Sequence, residues 1–301
     1  TTWALFFQDE IALADTLTAY VGGRMDWWRT FDGYADQIGT AGYPKNYDER
    51  SSSAFSPKAA LVFKPFAGTT LRTSAGKAFR PPTVYELYRT WTSSSGVTYN
   101  GNPDLKPEKL TAWDVGAEQS LWSGAKIKAS YFENYLKNLV YRKTVSSSQR
   151  DYINAGKAES RGVIAGVEQK IGNWLKLYAD VTFVDSRIRE NSASPASEGK
   201  RMTDVPGRTI NIGADFEYRD IKASVLGTYV SKRYGDDAND DVVNSVYMSY
   251  DPYFTLNARI SYTIMKHAEL SFSVDNILNR NYFSYYKAPG RSWFAELKMA
   301  L

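Results

Sequence analysis

Apolar and polar residues alternate with period two along nearly the whole chain, and this feature most narrows the folds available to it. Alternation of this kind is typical of a β-strand with one apolar and one polar face. The clearest case runs through Phe254, Leu256, Ala258, Ile260 and Tyr262, which interleave with Thr255, Asn257, Arg259 and Ser261. About 13 segments alternate, starting near Leu5, Leu17, Ala59, Leu71, Thr111, Ile127, Val163, Leu175, Ile210, Ile221, Phe254, Leu270 and Trp293. The sequence therefore predicts an all-β fold.

The connections between these segments alternate in length. Short turns are predicted at 14–16, 65–69, 122–124, 172–173, 219–220 and 266–267. Long polar connections are predicted at 32–52, 80–108, 191–201 and 235–244. Each segment approaches the ~9–11 residues that a tilted strand needs to cross a bilayer. Short turns on one rim and long loops on the other indicate an antiparallel up-and-down transmembrane β-barrel of the bacterial outer membrane.

A soluble β-sandwich or β-propeller is the alternative, because such proteins also use alternating strands. The length of the strands and the regular alternation of turn lengths count against it. A propeller would also repeat every ~40–50 residues, and no such repeat is found. A soluble carbohydrate-binding β-protein stays open as a minor hypothesis.

Composition removes several classes of function. The chain has no Cys and a single His, His267, which excludes a disulfide framework, a cysteine-ligated zinc site and a thiol nucleophile. A net charge of +4 over 301 residues is too small to indicate a nucleic-acid partner. The 22 Tyr, 14 Phe and 8 Trp suit strands and membrane interfaces.

Two loop segments carry a resemblance to a known family. The double proline Pro81-Pro82 ends a strand at Phe79, and Asn-Pro and Lys-Pro steps within 100–108 return the chain to a strand from Leu110. These segments closely resemble the Phe-Arg-x-Pro and Asn-Pro-x-Leu elements of TonB-dependent outer-membrane receptors. The chain resembles further strand segments of that family at residues 131–140, 152–168, 205–208 and 274–282.

The resemblance implies a barrel of about 22 strands whose lumen is filled by an amino-terminal plug. Neither the plug nor the first strands are recognised here, so residues 1–301 are predicted to be the C-terminal portion of the barrel, with about 13 strands. The implied function is uptake of a scarce nutrient, a ferric siderophore above all, across the outer membrane of a Gram-negative bacterium. The implied partner is the TonB energy-transducing complex, acting through the plug. No cofactor is predicted.

The longest loop holds the candidate ligand-binding residues, which combine aromatic rings with guanidinium groups. Such groups can grip a planar or anionic ligand by stacking and charge. The candidates are Arg80, Tyr85, Tyr88, Arg89, Trp91 and Tyr99. The tyrosines could instead belong to the aromatic girdle at the membrane interface. Basic side chains at the rim could equally bind anionic head groups, so outer-membrane lipid and lipopolysaccharide are predicted partners.

An enzyme, such as an outer-membrane lipase or protease, is the second alternative. It would draw on a histidine with a serine or an acid pair, but His267 falls in a predicted turn and no Gly-x-Ser-x-Gly motif occurs. The chain is therefore predicted not to be an enzyme. Because His267 falls in a predicted turn, an exposed turn histidine is favoured over a haem ligand. The resemblance implies that a haem-transporting member would carry a histidine between the Phe-Arg-x-Pro and Asn-Pro-x-Leu elements, and residues 83–101 contain none, which argues against haem. A weaker metal hypothesis is a calcium site among four acidic residues, Asp236, Asp237, Asp240 and Asp241.

Overall fold

The computed structural model describes residues 1–36, 43–265 and 268–299. Its long strands are Thr2–Ala14 (β1), Leu17–Thr30 (β2), Arg50–Phe63 (β3), Thr69–Arg80 (β4), Glu108–Ser120 (β5), Ala125–Ser146 (β6), Gln149–Ile171 (β7), Leu175–Asn191 (β8), Arg208–Tyr218 (β9), Ile221–Val230 (β10), Tyr253–Met265 (β11), Ala268–Asp275 (β12) and Ser292–Met299 (β13). The short strands are Gly33–Ala35, Lys45–Tyr47, Trp91–Thr92, Thr98–Asn100, Phe283–Ser284 and Tyr286–Lys287. Helical structure comprises the α-helix Val84–Tyr88 and the 3-10 turn Pro195–Ser197. In the described ranges, no helix has both the length and the apolar character needed to span a membrane.

Each long strand pairs antiparallel with the next one along the chain, from β1 to β13 without a crossover. Together with Trp91–Thr92 and Thr98–Asn100, they form a sheet of 15 strands in the described part of the chain. The predicted all-β, up-and-down antiparallel fold is confirmed, and so is the prediction of about 13 long strands. β1 and β13 are the two edges of this sheet and do not pair with each other among the described residues, so the sheet is open.

Residues that face each other across the strands share one side of the sheet, which extends the alternation into two continuous surfaces. On one side, Ile212 pairs with Ala179 of β8 and with Gly227 of β10. On the other side lie ion pairs such as Lys128–Asp180 at 2.8 Å and Lys176–Asp215 at 2.6 Å. We call these surfaces the apolar face and the polar face.

The apolar face is exposed, and the chain has little conventional core. Only seven apolar residues in the described ranges are buried, and they are Leu105, Ala125, Leu139, Ala155, Ala158, Ile188 and Val230. A soluble protein of this length would bury a large shared core. Here the large apolar side chains of the strands project outward instead, among them Val167, Leu177, Ile212, Val225, Ile260 and Phe272. This arrangement suits hydrocarbon as solvent and argues against the soluble alternative.

The connections separate into two rims. Short hairpins join β1 to β2, β3 to β4, β5 to β6, β7 to β8 and β9 to β10 on one rim, as predicted. On the opposite rim lie the connections 31–49, 81–107, 192–207, 231–252 and 276–291. His267 and its predicted turn lie outside the described residues.

Two connections on the long-loop rim differ from the sequence pattern. The segment 274–282 resembles a continuing strand, yet β12 ends at Asp275 because Asn276 takes a left-handed φ of 51° and starts a loop. The β6–β7 connection is also unexpected, since only two residues separate strands of 22 and 23 residues. This hairpin therefore replaces a long loop with lengthened strands.

Candidate functional site

The base of the connection 81–107 is closed by Arg80. Its Nε lies 2.6 Å from Oε2 of Glu108, and its Nη1 lies 3.1 Å from Oε2 of Glu86. Thr83 and Glu86 form a capping box that starts the helix Val84–Tyr88. Burial alone would raise the pKa of Glu86, but hydrogen bonds from Arg80 and Thr83 outweigh it and lower that pKa. Arg80 is thus committed to two carboxylates, and the structure gives it a loop-anchoring position.

Four of the six candidates lie in one group of rings and guanidinium groups. The guanidinium carbon of Arg89 lies 4.7 Å from the ring centre of Tyr85. Trp91 stacks on Tyr99 with ring centres 4.4 Å apart and planes 8° apart. Tyr88 is not part of this group, since its hydroxyl is 2.8 Å from Oγ1 of Thr30. Tyr88 instead ties this connection to the end of β2.

The lengthened β6–β7 hairpin adds two residues that sequence analysis missed. The ring of Tyr152 packs edge-on against Tyr85, with centres 6.4 Å apart. The guanidinium of Arg142 lies 5.6 Å from the ring centre of Tyr99. Arg142 and Tyr152 face each other in the β6–β7 register. We call the six residues Tyr85, Arg89, Trp91, Tyr99, Arg142 and Tyr152 the aromatic–arginine cluster.

The cluster is held in place by a short piece of sheet. Thr98–Asn100 pairs in parallel with Gln149–Asp151 at the start of β7. The side-chain amide of Asn100 donates a hydrogen bond to Oδ1 of Asp151 at 2.8 Å. The side-chain amide of Asn102 donates one to the backbone carbonyl of Tyr152, also at 2.8 Å. The connection 81–107 is therefore fastened onto the hairpin, which gives the rings and guanidinium groups a defined arrangement on the long-loop rim.

A second hub joins two other long connections around Asp251, which is 2% exposed. Its Oδ1 accepts hydrogen bonds from the Ser245 amide and the Ser249 hydroxyl, both at 2.8 Å. Its Oδ2 accepts from the amide of Phe283 at 2.8 Å, across to the connection 276–291. Burial alone would raise the pKa of Asp251. The hydrogen bonds from the Ser245 and Phe283 amides and the Ser249 hydroxyl, together with the charge of Lys232, outweigh burial and lower that pKa.

The lowered pKa predicts an acid-sensitive loop junction. Since the folded-state pKa lies below the unfolded value, the carboxylate stabilises the junction at neutral pH, and this stabilisation is lost as pH falls through the folded-state pKa. Asp251→Asn should weaken the junction at pH 7, lowering hydrogen-exchange protection of the Ser245 and Phe283 amides by about 10- to 100-fold. Asp240→Asn, an exposed change in the same connection, is the control. Equal protection in both variants would contradict this assignment.

The four acidic residues of the calcium hypothesis lie in the connection 231–252. Oδ2 of Asp241 accepts a hydrogen bond from the Gly235 amide at 2.9 Å, while Asp240 is exposed. Within the described ranges, no three His, Cys, Asp or Glu side chains are placed to hold one ion. The calcium site at Asp236, Asp237, Asp240 and Asp241 remains a prediction without geometric support.

Comparison with known proteins agrees with this architecture. The family model described as TonB dependent receptor-like, beta-barrel matches residues 1–277. The iron-regulated outer membrane virulence protein of Vibrio cholerae is 24% identical, covering 100% of this chain and 44% of its own length. The crystal structure of the siderophore receptor PiuA from Acinetobacter baumannii superposes with a TM-score of 0.75 at 19% identity, covering 99% of this chain and 43% of that one. A mutant of the ferric enterobactin receptor PfeA from Pseudomonas aeruginosa, solved in complex with enterobactin, superposes with a TM-score of 0.73 at 19% identity. The match covers 99% of this chain and 45% of that one. The chain thus spans less than half the length of these proteins.

Proposed function

The chain belongs to the TonB-dependent receptor β-barrel family, and on that premise we propose that it forms part of a receptor that takes up a ferric siderophore. The barrel lies in the outer membrane of a Gram-negative bacterium. Its apolar face contacts membrane lipid, and its polar face lines the lumen. The long connections lie on the extracellular rim, where a ligand arrives from outside.

The aromatic–arginine cluster is the observation that carries the proposal. Ferric siderophores are compact chelates, often anionic, and many present flat aromatic groups. Guanidinium groups stacked on rings offer positive charge next to flat apolar surface, which suits such a chelate. PiuA is a siderophore receptor and PfeA is a ferric enterobactin receptor, so both are receptors rather than enzymes.

Transport itself is proposed to need the rest of the protein. A plug in the lumen would contact the polar face, whose ion pairs include Arg259–Glu296 at 2.9 Å. The TonB complex would act on that plug. Lipid and lipopolysaccharide of the outer membrane would surround the apolar face. This chain would supply the wall and the extracellular connections, and its contribution is binding rather than catalysis.

The proposed binding role predicts that changing Tyr85 and Arg89 together weakens siderophore binding. Tyr85→Ala with Arg89→Ala removes one cation–π pair and should weaken binding of the cognate ferric siderophore by at least about tenfold. The measurement is fluorescence quenching of the complete receptor titrated with ferric catecholate, ferric hydroxamate and ferric citrate complexes. Cobalamin and haem serve as comparison ligands.

A matched control exists on the opposite rim, where Arg219 lies over the ring of Tyr218 with its guanidinium carbon 5.2 Å from the ring centre. Tyr218→Ala with Arg219→Asn should leave binding unchanged, and asparagine tolerates the left-handed φ of 53° at that position. Equal weakening in the two double variants would remove the cluster from the site. Failure of every ferric siderophore to bind the unmodified receptor would contradict the proposed ligand class.

A further inference from the structure

A groove of ≈ 890 Å³ lies on the apolar face, away from the aromatic–arginine cluster. Its walls include Tyr131, Arg161, Phe183, Arg208 and Tyr229, from five consecutive strands β6 to β10. Cross-strand pairing places these side chains on one side of the sheet. Tyr131 faces Val163, Phe183 faces both Val163 and Arg208, and Arg161 faces Asp185. We call it the outer-wall groove, because its lining lies on the lipid-contacting side.

The outer-wall groove marks the level at which the apolar face ends. Toward the short turns, the outward positions of β7, β8 and β9 are apolar apart from Gln169, and they include Val167, Val181 and Ile212. Toward the long connections, the next outward residue after Val163 in β7 is Arg161. The next outward residue after Ile210 in β9 is Arg208. A change from apolar to basic residues, flanked by aromatic rings, is expected where hydrocarbon meets the head groups of the extracellular leaflet.

Positive charge dominates this lining. The groove is lined by four cationic residues, Arg161, Arg201, Arg208 and Lys232, and by one carboxylate, Asp185. Asp185 accepts a hydrogen bond from Nε of Arg187 at 2.9 Å, whereas Nη2 of Arg161 lies 3.9 Å from it. Within the described residues, neither Arg201 nor Arg208 forms an ion pair with a carboxylate. Arg161 also faces the Glu133 carboxylate of β6 across the strands, so it has a carboxylate on each side. The surplus of positive charge comes from Arg201, Arg208 and Lys232, and an anion from outside the chain would neutralise it.

We propose that the outer-wall groove binds the phosphorylated sugar head group of lipopolysaccharide. Arginine guanidinium groups match phosphate oxygens in charge and geometry. Four cations suit a head group with more than one phosphate better than a phospholipid with a single phosphate. The rings of Tyr131, Phe183 and Tyr229 give the adjoining surface on which sugar and acyl chains pack. This site is distinct from siderophore uptake and requires only that the barrel lies in the outer membrane.

The test is native mass spectrometry of the complete receptor, after removal of co-purified lipid and titration with defined probes. The probes are bis-phosphorylated lipid A, monophosphorylated lipid A and phosphatidylglycerol. Arg161→Gln with Arg208→Gln should weaken binding of bis-phosphorylated lipid A by about 10- to 30-fold, and added salt should narrow the difference. Heat-modifiable migration in gels verifies that each variant is folded.

The control removes two cations from the polar face, by Arg72→Gln with Lys222→Gln. It should bind bis-phosphorylated lipid A as the unmodified receptor does. Equal binding by the Arg161/Arg208 variant, or equal loss in the control, would overturn the proposal. Phosphatidylglycerol binding as tightly as bis-phosphorylated lipid A would refute the assignment to lipopolysaccharide. Siderophore titrations of the same variants report on the proposed function separately, because these residues lie outside the aromatic–arginine cluster.

Discussion

Ile260→Arg in the complete receptor should lower the free energy of unfolding by about 2–4 kcal/mol. Ile260 is 50% exposed on the apolar face of β11, near the middle of the outward series Phe254 to Tyr262. An arginine there must hold its charge in hydrocarbon, because no neighbouring outward residue carries a carboxylate. Its cross-strand partners are Ala223 and Phe272. Denaturant unfolding in lipid vesicles measures the loss.

The matched control is Ser224→Arg, which places the same charge at the same depth on the polar face. Ser224 follows Ala223, the partner of Ile260, and faces Arg259 of β11 and Asp215 of β9. The new arginine would sit between one cation and one carboxylate in the lumen, so we expect a change below about 1 kcal/mol. Equal destabilisation by Ile260→Arg and Ser224→Arg would show that the two faces are wrongly assigned.

Asn257, an inward residue of the same strand, looks from the sequence like a tolerant control, but the structure shows that it is not. Its Oδ1 accepts a hydrogen bond from the amide of Asn276 at 2.8 Å and so fixes the end of β12. Asn257→Arg would remove that acceptor in addition to placing a charge. Alternation reveals which face a residue occupies, whereas its hydrogen-bond partners depend on the neighbouring strand.

The strands could be predicted because burial on one face imposes a period of two that is visible residue by residue. The end of β12 could not, because a single side chain decides it. Asn276 accepts a hydrogen bond from the Arg280 amide at 2.8 Å and donates one to the Arg280 carbonyl at 2.9 Å, closing a turn. Asparagine can make such local bonds in many loops, so its presence alone did not separate a turn from a continuing strand.

The candidate site was predicted only in part. Tyr85, Arg89, Trp91 and Tyr99 could be proposed because aromatic and basic residues are dense in one connection. Arg142 and Tyr152 belong to strands whose pattern is ordinary, and their contacts depend on how the connection 81–107 folds over that hairpin. The three-residue strand Thr98–Asn100 that fastens it is too short to show a period. Asp251 was missed because an isolated acidic residue before a strand is common.

The open edges of the sheet carry the largest energetic consequence. β1 has 13 residues and β13 has eight, and neither has a second strand partner among the described residues. About half of the residues in an edge strand direct their N–H and C=O groups outward, away from the sheet. Each such group left unpaired in hydrocarbon costs several kcal/mol. The two edges together would cost tens of kcal/mol, far above the ~5–15 kcal/mol by which folded proteins are usually stable.

Residues 1–301 expressed alone should therefore fail to insert into lipid vesicles as a monomer and should aggregate through these edges. Co-refolding with the remaining barrel strands of the complete receptor should restore a heat-modifiable, protease-resistant species, because those strands would pair with β1 and β13. Since the chain has no cysteine, Phe7→Cys and Ala295→Cys introduce a unique pair that reports whether the two edges meet. A disulfide between them in a monodisperse monomer would reveal a small closed barrel. That result would contradict the open sheet and would leave too narrow a lumen for a plug. Absence of the disulfide, with rescue by the remaining strands, is the expected outcome, because only added strands can satisfy both edges across the bilayer.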